Sequence, residues 1–124
     1  MLVQFANFDP MNIEWIRKFC LSLPAATEDV KWGHDLVFSI GGRMFCVTSL
    51  DGPFTCSFKV TDESFEEWSL TNGFKPAPYM ARAKWVQVTE PGAIGKKQWE
   101  LLLKESYELV KKKLTKKERE SLGI

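Results

Sequence analysis

Apolar residues recur every three or four positions near both ends of the sequence, which is the spacing of an amphipathic helix. The N-terminal set follows the helix-start residue Asn12 and ends before Pro24; it consists of Ile13, Ile16, Phe19, Cys20 and Leu23. The C-terminal set follows Gly92 and shares its stripe with Ser106; it consists of Trp99, Leu102, Leu103, Leu109 and Val110. We therefore expect a first helix and a long last helix, with one or two further helical turns in residues 115–122.

Four β-rich segments, separated by short turns that contain glycine, lie between these helices: residues 29–32, 36–40, 43–48 and 54–60. Such short connections are typical of hairpins, so the sheet should be largely antiparallel. A fifth strand is predicted over residues 84–89. It follows residues 75–80, where Pro76 and Pro78 predict a stiff loop.

A short helix is predicted between the fourth and fifth strands. Thr61 is a suitable N-cap, Asp62 and Glu63 would favour the helix dipole, and Asn72-Gly73 would end the helix. The order is then helix, four-strand meander, short helix, strand and long helix. It predicts an α+β two-layer sandwich, with a mainly antiparallel five-stranded sheet and the N- and C-terminal helices on one face.

Side chains alternate between the two faces of a strand, so the strand sequences assign residues to faces. The apolar row of the fourth strand is Phe54, Cys56, Phe58 and Val60. Lys59 belongs to the opposite face. In the fifth strand Val86 and Val88 share one face, so Trp85 lies outside the core if the valines are inside it.

The composition is that of one ordinary globular domain. The chain has 124 residues, of which 44% are hydrophobic and 27% charged. No apolar run is long enough to span a membrane, and the N-terminus lacks the features of a secretory signal. Cys20, Cys46 and Cys56 are an odd, widely spaced set, which suits buried thiols in a reducing compartment. We expect a cytoplasmic protein, monomeric and without membrane contact.

The net charge of +1 conceals an uneven distribution. Residues 1–74 carry 5 basic and 10 acidic side chains, and residues 75–124 carry 12 basic and 6 acidic ones, so the two parts have net charges of −5 and +6. This asymmetry favours an anionic partner for the C-terminal part, although one charged helix produces the same pattern.

Several short motifs follow one another in a specific order. They are Trp32-Gly33-His34 after Glu28, Phe38, Gly42-Arg43-Met44-Phe45, Ser57-Phe58-Lys59-Val60, Pro76-Ala77-Pro78-Tyr79-Met80, Lys84-Trp85-Val86 and Ser106-Tyr107. Together they resemble the MmcQ/YjbR-like family over residues 11–119. Members of that family begin near a methionine placed like Met11. Residues 1–10 are therefore expected to be an extension, and residues 11–124 a single domain.

The resemblance implies a CyaY-like, that is frataxin-like, fold, which agrees with the predicted order of elements. It also implies DNA binding, a label that the family carries. Frataxins present an acidic first helix to iron. Here Glu14 is accompanied by Arg17 and Lys18, so we do not expect iron handling.

The basic C-terminal part contains a candidate nucleic-acid surface. If Lys31, Lys59 and Trp85 share the uncovered sheet face, an aromatic platform ringed by cations would stack bases and neutralise phosphates. The residues predicted for this surface are Lys59, Tyr79, Arg82, Lys84, Trp85, Lys112 and Lys116. The structural alternatives are burial of Trp85, lysines that protect an edge strand, and a solvated helix end at residues 111–119.

The single histidine, His34, lies in a turn beside Trp32. It is either a turn residue whose ring caps a backbone group or, together with Trp32, a contact for a ligand or partner. One histidine excludes a multi-histidine metal site, and no Ser or Cys has an evident base. We therefore predict no metal, cofactor or catalytic residue.

Two functional hypotheses follow from these residues. The first is a non-enzymatic nucleic-acid-binding module, with double-stranded DNA as the partner that the resemblance implies. The alternative is a protein-interaction or small-ligand-binding module that uses the exposed sheet face. An apolar pocket near His34 would favour the alternative. An enzyme ranks third, because it would need acid and base groups that only folding brings together.

Overall fold

Helix α1 spans Ile13–Ser22 in the computed structural model, which describes residues 12–124. The side-chain oxygen of Asn12 accepts a hydrogen bond from the Trp15 N–H at 2.9 Å. This bond satisfies one of the amides that the first turn of a helix leaves free. The predicted helix start is therefore confirmed. The predicted extension, residues 1–10, lies outside the described residues.

Six strands form one sheet in the order β1-β2-β3-β4-β6-β5, and every neighbouring pair is antiparallel. The strands are β1 Thr27–Lys31, β2 Asp35–Ile40, β3 Arg43–Ser49, β4 Cys56–Lys59, β5 Phe74–Pro76 and β6 Trp85–Val88. The predicted antiparallel meander is confirmed. The predicted number of strands is one too low, because β5 falls in a segment that was expected to be a loop.

Strand β5 tolerates its proline because it lies at the edge of the sheet. Pro76 pairs with Val86, and a residue without an N–H is acceptable where no further strand follows. Phe74 anchors the strand, since its ring is buried and stacks on Trp68 with the ring centroids 5.0 Å apart.

The helices complete the second layer. They are α2 Phe65–Ser69, α3 Lys96–Lys111 and α4 Lys116–Leu122, with 3-10 turns at Ala81–Ala83 and Pro91–Ala93. Helix α2 begins later than predicted. The Thr61 hydroxyl accepts the Ser64 N–H at 3.1 Å and so closes a turn before the helix, and Ser64 is the N-cap residue.

The core lies between the sheet and helices α1 and α3. Ile16 and Cys20 of α1 and Trp99 and Leu103 of α3 are fully buried in it. The sheet contributes Leu36, Phe38, Ile40, Phe45, Cys46, Cys56, Phe58, Phe74, Val86 and Val88. The two-layer α+β architecture is therefore confirmed. Within residues 12–124, no helix is long and apolar enough to cross a membrane.

A β-bulge at Phe45 changes the faces of β3. Phe38 pairs with Cys46, but the next residue, Ser39, pairs with Met44, so Phe45 is the extra residue. Phe45 and Cys46 are therefore both buried in the core, although they are adjacent. The bulge places Met44 on the face of the sheet that the helices leave free.

The three cysteines are free and buried, as predicted. The Cys46 and Cys56 sulfurs lie 3.6 Å apart. Burial, together with the neighbouring Cys46 thiol, raises the pKa of the Cys56 thiol. Hydrogen bonds with Cys20 and Cys56 lower the pKa of the Cys46 thiol to about 5. All three thiols are buried, so an alkylating reagent reaches them only when the fold opens, whatever their protonation state.

We expect the folded protein to resist alkylation at all three thiols. At pH 8, iodoacetamide should modify them at least about 100-fold more slowly than in denaturant, since modification requires transient unfolding. Intact-mass spectrometry of timed samples gives both rates. Rapid single modification of the native protein would show that one thiol is accessible.

Candidate functional site

The sheet has a second face, which α1 and α3 do not cover. A row of paired residues crosses all six strands on this face: Asp29, Val37, Val47, Ser57, Gln87 and Lys75. In β2, β3, β4 and β6 the residues on either side of this row are buried on the core face. The second face is therefore less apolar than the first, as expected for a surface that is open to water or to a ligand.

A cavity of about 610 Å³ lies on this face, and we call it the aromatic cavity. The sheet supplies Asp35, Met44, Val47, Ser57 and Gln87, and Thr55 lies just before β4. The β1–β2 turn supplies Trp32 and His34, and the segment after β5 supplies Pro78, Tyr79 and Met80. The cavity thus has a floor of sheet residues and walls from two turns that belong to opposite sides of the sheet.

Two exposed aromatic side chains form part of these walls. Trp32 is 62% exposed and Tyr79 is fully exposed, and both have left-handed backbones, with φ of 55° and 65°. A bulky residue rarely adopts this conformation, which costs of order 1–2 kcal/mol. Backbone strain of this kind often accompanies a binding function, because folding alone does not favour it.

Tyr79 occupies a turn position that usually belongs to glycine. The Met80 N–H donates to the Ala77 carbonyl at 3.1 Å, which closes a four-residue turn with Pro78 second and Tyr79 third. Proline followed by a residue of positive φ is the pattern of a type II turn, in which glycine or asparagine is preferred at the third position. The turn presents the Tyr79 ring outward at the cavity.

Few polar groups reach the aromatic cavity. The His34 Nδ1 and the Asp35 Oδ1 are 3.2 Å apart, within hydrogen-bond distance. On the floor, the Gln87 amide nitrogen donates to the Ser57 hydroxyl at 3.4 Å. A small set of polar groups in an apolar cavity is typical of sites that orient a small ligand.

A second cavity of about 660 Å³ adjoins the first, and we call it the basic cleft. Its charged residues are Arg43, Lys59, Asp62, Arg82, Lys84 and Lys113. It thus has five cationic side chains and one carboxylate. Among residues 12–124, no carboxylate oxygen lies within 4.0 Å of any of the five cationic groups.

Among these cations, Lys59 projects from the middle of the sheet. It lies on β4, and its Nζ donates to the Ala83 carbonyl at 2.5 Å. Burial and the nearby charge of Lys113 lower the pKa of Lys59, while Asp62 acts in the opposite direction. Burial is the main cause of this lowered pKa, and repulsion from Lys113 and Lys84 adds to it.

The structure corrects the hypothesis of an exposed Trp85. Alternation placed its side chain correctly, since it lies outside the main core cluster and opposite Val86 and Val88. The ring is nevertheless only 4% exposed. Residues 77–84 fold back here: the Ala77 N–H donates to the Trp85 carbonyl at 3.0 Å, and the Trp85 N–H donates to the Met80 carbonyl at 3.2 Å. Trp85 therefore forms a wall of the basic cleft and offers no open stacking platform.

The other predicted residues fall into three groups. Lys59, Arg82 and Lys84 come together in the basic cleft. The aromatic cavity brings Tyr79 together with Trp32 and His34, which the sequence analysis had assigned to a different hypothesis. Lys112 and Lys116 are exposed but border neither cavity.

Sequence reasoning missed Arg43 and Lys113 as members of the cleft, and Met44 and Met80 as walls. Arg43 had a local signal, because it follows the Gly41-Gly42 turn and begins a strand. Lys113 had no local signal, because it is one of three consecutive lysines. Which of the three lines the cleft depends on where α3 ends.

Comparison with known proteins identifies the family. The model of the YjbR family matches residues 21–109. The chain belongs to the YjbR family. The YjbR match includes every residue that lines the aromatic cavity and, in the basic cleft, every cation except Lys113.

Two solved structures share this YjbR fold. A Deinococcus radiodurans protein with a DUF419 domain is 31% identical, with a TM-score of 0.83 over 94% of this chain and 91% of that one. A protein from Pseudomonas syringae is 19% identical, with a TM-score of 0.69 over 81% of this chain and 99% of that one, and this similarity supports the fold alone. No protein of curated function matches the sequence.

Proposed function

We propose that this protein is a non-enzymatic binding module whose aromatic cavity takes a flat, mainly apolar group of a small ligand. The observation that carries the proposal is the pair of exposed aromatic side chains, Trp32 and Tyr79, held in left-handed backbones at the walls of one cavity. Aromatic rings at the mouth of a cavity contribute large contact area and lose little side-chain entropy on binding.

The volume of the cavity supports a small ligand. About 610 Å³ is within the usual range for drug-sized and cofactor-sized ligands. Thr55, Ser57 and Gln87 supply the polar floor, and Met44 and Met80 supply adaptable apolar walls.

The free thiols of the chain suit the reducing environment of the cytoplasm, which we propose as the location of the protein.

A neutral aromatic dye tests this proposal. N-phenyl-1-naphthylamine, which fluoresces in apolar surroundings, should bind the full chain saturably. Replacing Tyr79 with glycine should weaken this binding about tenfold, because loss of a stacking ring costs about 1–3 kcal/mol. The same variant should keep its stability within about 1 kcal/mol, since glycine accepts the positive φ at this position. A dye titration and a urea titration measure the two effects.

Matched variants make the test specific. Trp32→Gly should weaken dye binding as Tyr79→Gly does, because Trp32 also has a positive φ. Leu70→Ala is the control: Leu70 is a large exposed apolar side chain that borders neither cavity. Absence of saturable binding, or equal binding by all three variants, would contradict the proposal.

Duplex DNA is the second candidate ligand, and the basic cleft favours it. Five cations without close carboxylates would bind phosphates and release counterions from the DNA, and the free-energy gain from that release falls as the salt concentration rises. Fluorescence anisotropy with a labelled duplex at low salt tests this candidate. No binding at tens of micromolar protein, or binding indifferent to salt, would exclude it.

A further inference from the structure

The aromatic cavity and the basic cleft are adjacent. Met44 and Met80 border both of them. The bulge at Phe45 puts Met44 on this face, and the turn at Tyr79 leads directly into Met80. One ligand can therefore contact both cavities across these two flexible side chains.

The two cavities have complementary chemistry. The aromatic cavity offers rings and an apolar floor, and the basic cleft offers Arg43, Arg82 and three lysines. Arginine binds oxyanions with two parallel hydrogen bonds, and lysine adds point charge. A ligand that satisfies both cavities has a flat ring at one end and an anionic group at the other.

The floor of the aromatic cavity favours a heteroaromatic ring. Thr55, Ser57 and Gln87 present hydroxyl and amide groups there, and only one hydrogen bond, from Gln87 to Ser57, connects their side chains. An amide can donate to and accept from the edge of a nucleobase at the same time. A purely hydrocarbon ring would leave these groups without partners.

We propose that the ligand is a mononucleotide, with its base in the aromatic cavity and its phosphate in the basic cleft. This inference rests on the proposed function, because it assigns a ligand class to the same cavity. A base within an intact duplex is stacked and paired on both sides, so it could not enter a cavity with sheet residues as its floor. The proposal thus concerns a free nucleotide.

Calorimetric titration of the full chain with a matched pair of compounds tests the proposal. Adenosine 5′-monophosphate should bind about tenfold more tightly than adenosine at low salt, the gain expected from one or two charge-assisted hydrogen bonds. The double variant Arg82→Gln/Lys113→Gln should reduce this ratio to about 2 or less and leave adenosine binding unchanged. Both residues are exposed in the cleft, so the variant should fold normally.

A charge-matched control separates the cleft from the overall charge. Lys97→Gln/Lys104→Gln removes the same two charges from exposed positions of α3 that border neither cavity, and it should keep the wild-type ratio. Equal affinity for the nucleotide and the nucleoside would overturn the inference, but it would not contradict the proposed binding of a ring in the aromatic cavity. If the naphthylamine dye binds but neither adenosine compound does, the nucleotide inference fails alone.

Two further outcomes complete the test. Failure of the dye as well as both adenosine compounds would remove the proposed function together with the inference. A single-stranded oligonucleotide is the remaining probe. Saturable binding of the oligonucleotide without any binding of the mononucleotide would overturn the inference in favour of a polymeric ligand.

Discussion

Replacing Trp99 with alanine should lower the free energy of unfolding by about 3–5 kcal/mol. Its indole is fully buried and meets the rings of Phe54 and Phe58 edge-on, at centroid distances of 6.2 and 6.0 Å. Its Nε1 donates to the Pro91 carbonyl at 3.0 Å. The substitution removes these contacts together and leaves a cavity under α3. Equilibrium unfolding in urea measures the change.

Leu101 is the matched control for Trp99. It lies two residues later in the same helix but is 61% exposed, so Leu101→Ala should change the unfolding free energy by no more than about 0.5 kcal/mol. A loss below about 1.5 kcal/mol for Trp99→Ala would show that the neighbouring side chains refill the space.

The substitution Ser106→Ala should cost about 2–4 kcal/mol, a large effect for the loss of one oxygen atom. The Ser106 hydroxyl is fully buried, accepts the Lys59 N–H at 2.9 Å and donates to the Phe45 carbonyl at 2.6 Å. It thereby joins α3 to β4 and to the bulge of β3. Alanine would leave a buried donor and a buried acceptor unpaired, and each such group costs about 1–3 kcal/mol.

Lys104→Ala provides the control for Ser106, because Lys104 is an exposed residue of the same helix. Its effect on stability should be within about 0.5 kcal/mol. Near-wild-type stability of Ser106→Ala would mean that the Lys59 N–H and the Phe45 carbonyl bond directly once the serine oxygen is gone. Hydrogen exchange at the Lys59 amide distinguishes a protected amide from an unpaired one.

The core was predictable from the sequence because it depends on local periodicity. The stripes of α1 and α3 and the apolar row of β4 were assigned from spacing alone, and most of their members are buried. Leu109 is only half-buried, however, and Tyr107, which the spacing did not select, lies in the core. Strict alternation would not describe β3, where both Phe45 and its neighbour Cys46 are buried. A bulge depends on how two strands pair, and the sequence of one strand does not show that pairing.

Strand β5 shows a second limit of local reasoning. Two prolines in three residues predicted a loop, and Pro76 does lack the N–H that a central strand needs. Its edge position removes that requirement, and the position follows from the sheet order. The edge position of β5 also affects the functional site, because β5 and the turn after it place Tyr79 at the wall of the aromatic cavity.

Trp85 combines a correct local assignment with a wrong conclusion. Alternation identified its face, but exposure depends on what covers that face. Residues 77–84 cover it through backbone hydrogen bonds that no residue pattern indicates. The rings that are available for stacking are Trp32 and Tyr79. The sequence analysis named both, but it assigned them to different hypotheses because they lie in turns that are distant in sequence.

From the order of its residues alone, this chain could be assigned its helices, its antiparallel meander, its buried face and its family resemblance. The helices, the meander and the buried face follow from spacings within single segments and from the short turns between them. The family resemblance follows instead from the order of several motifs over residues 11–119. The two adjoining cavities required the folded chain, since their walls come from turns and strands that are distant in sequence. Side chains from such distant segments come together only when the sheet order and the bulge have positioned them. The stability of that arrangement depends on contacts throughout the fold, so no single segment of the sequence determines it.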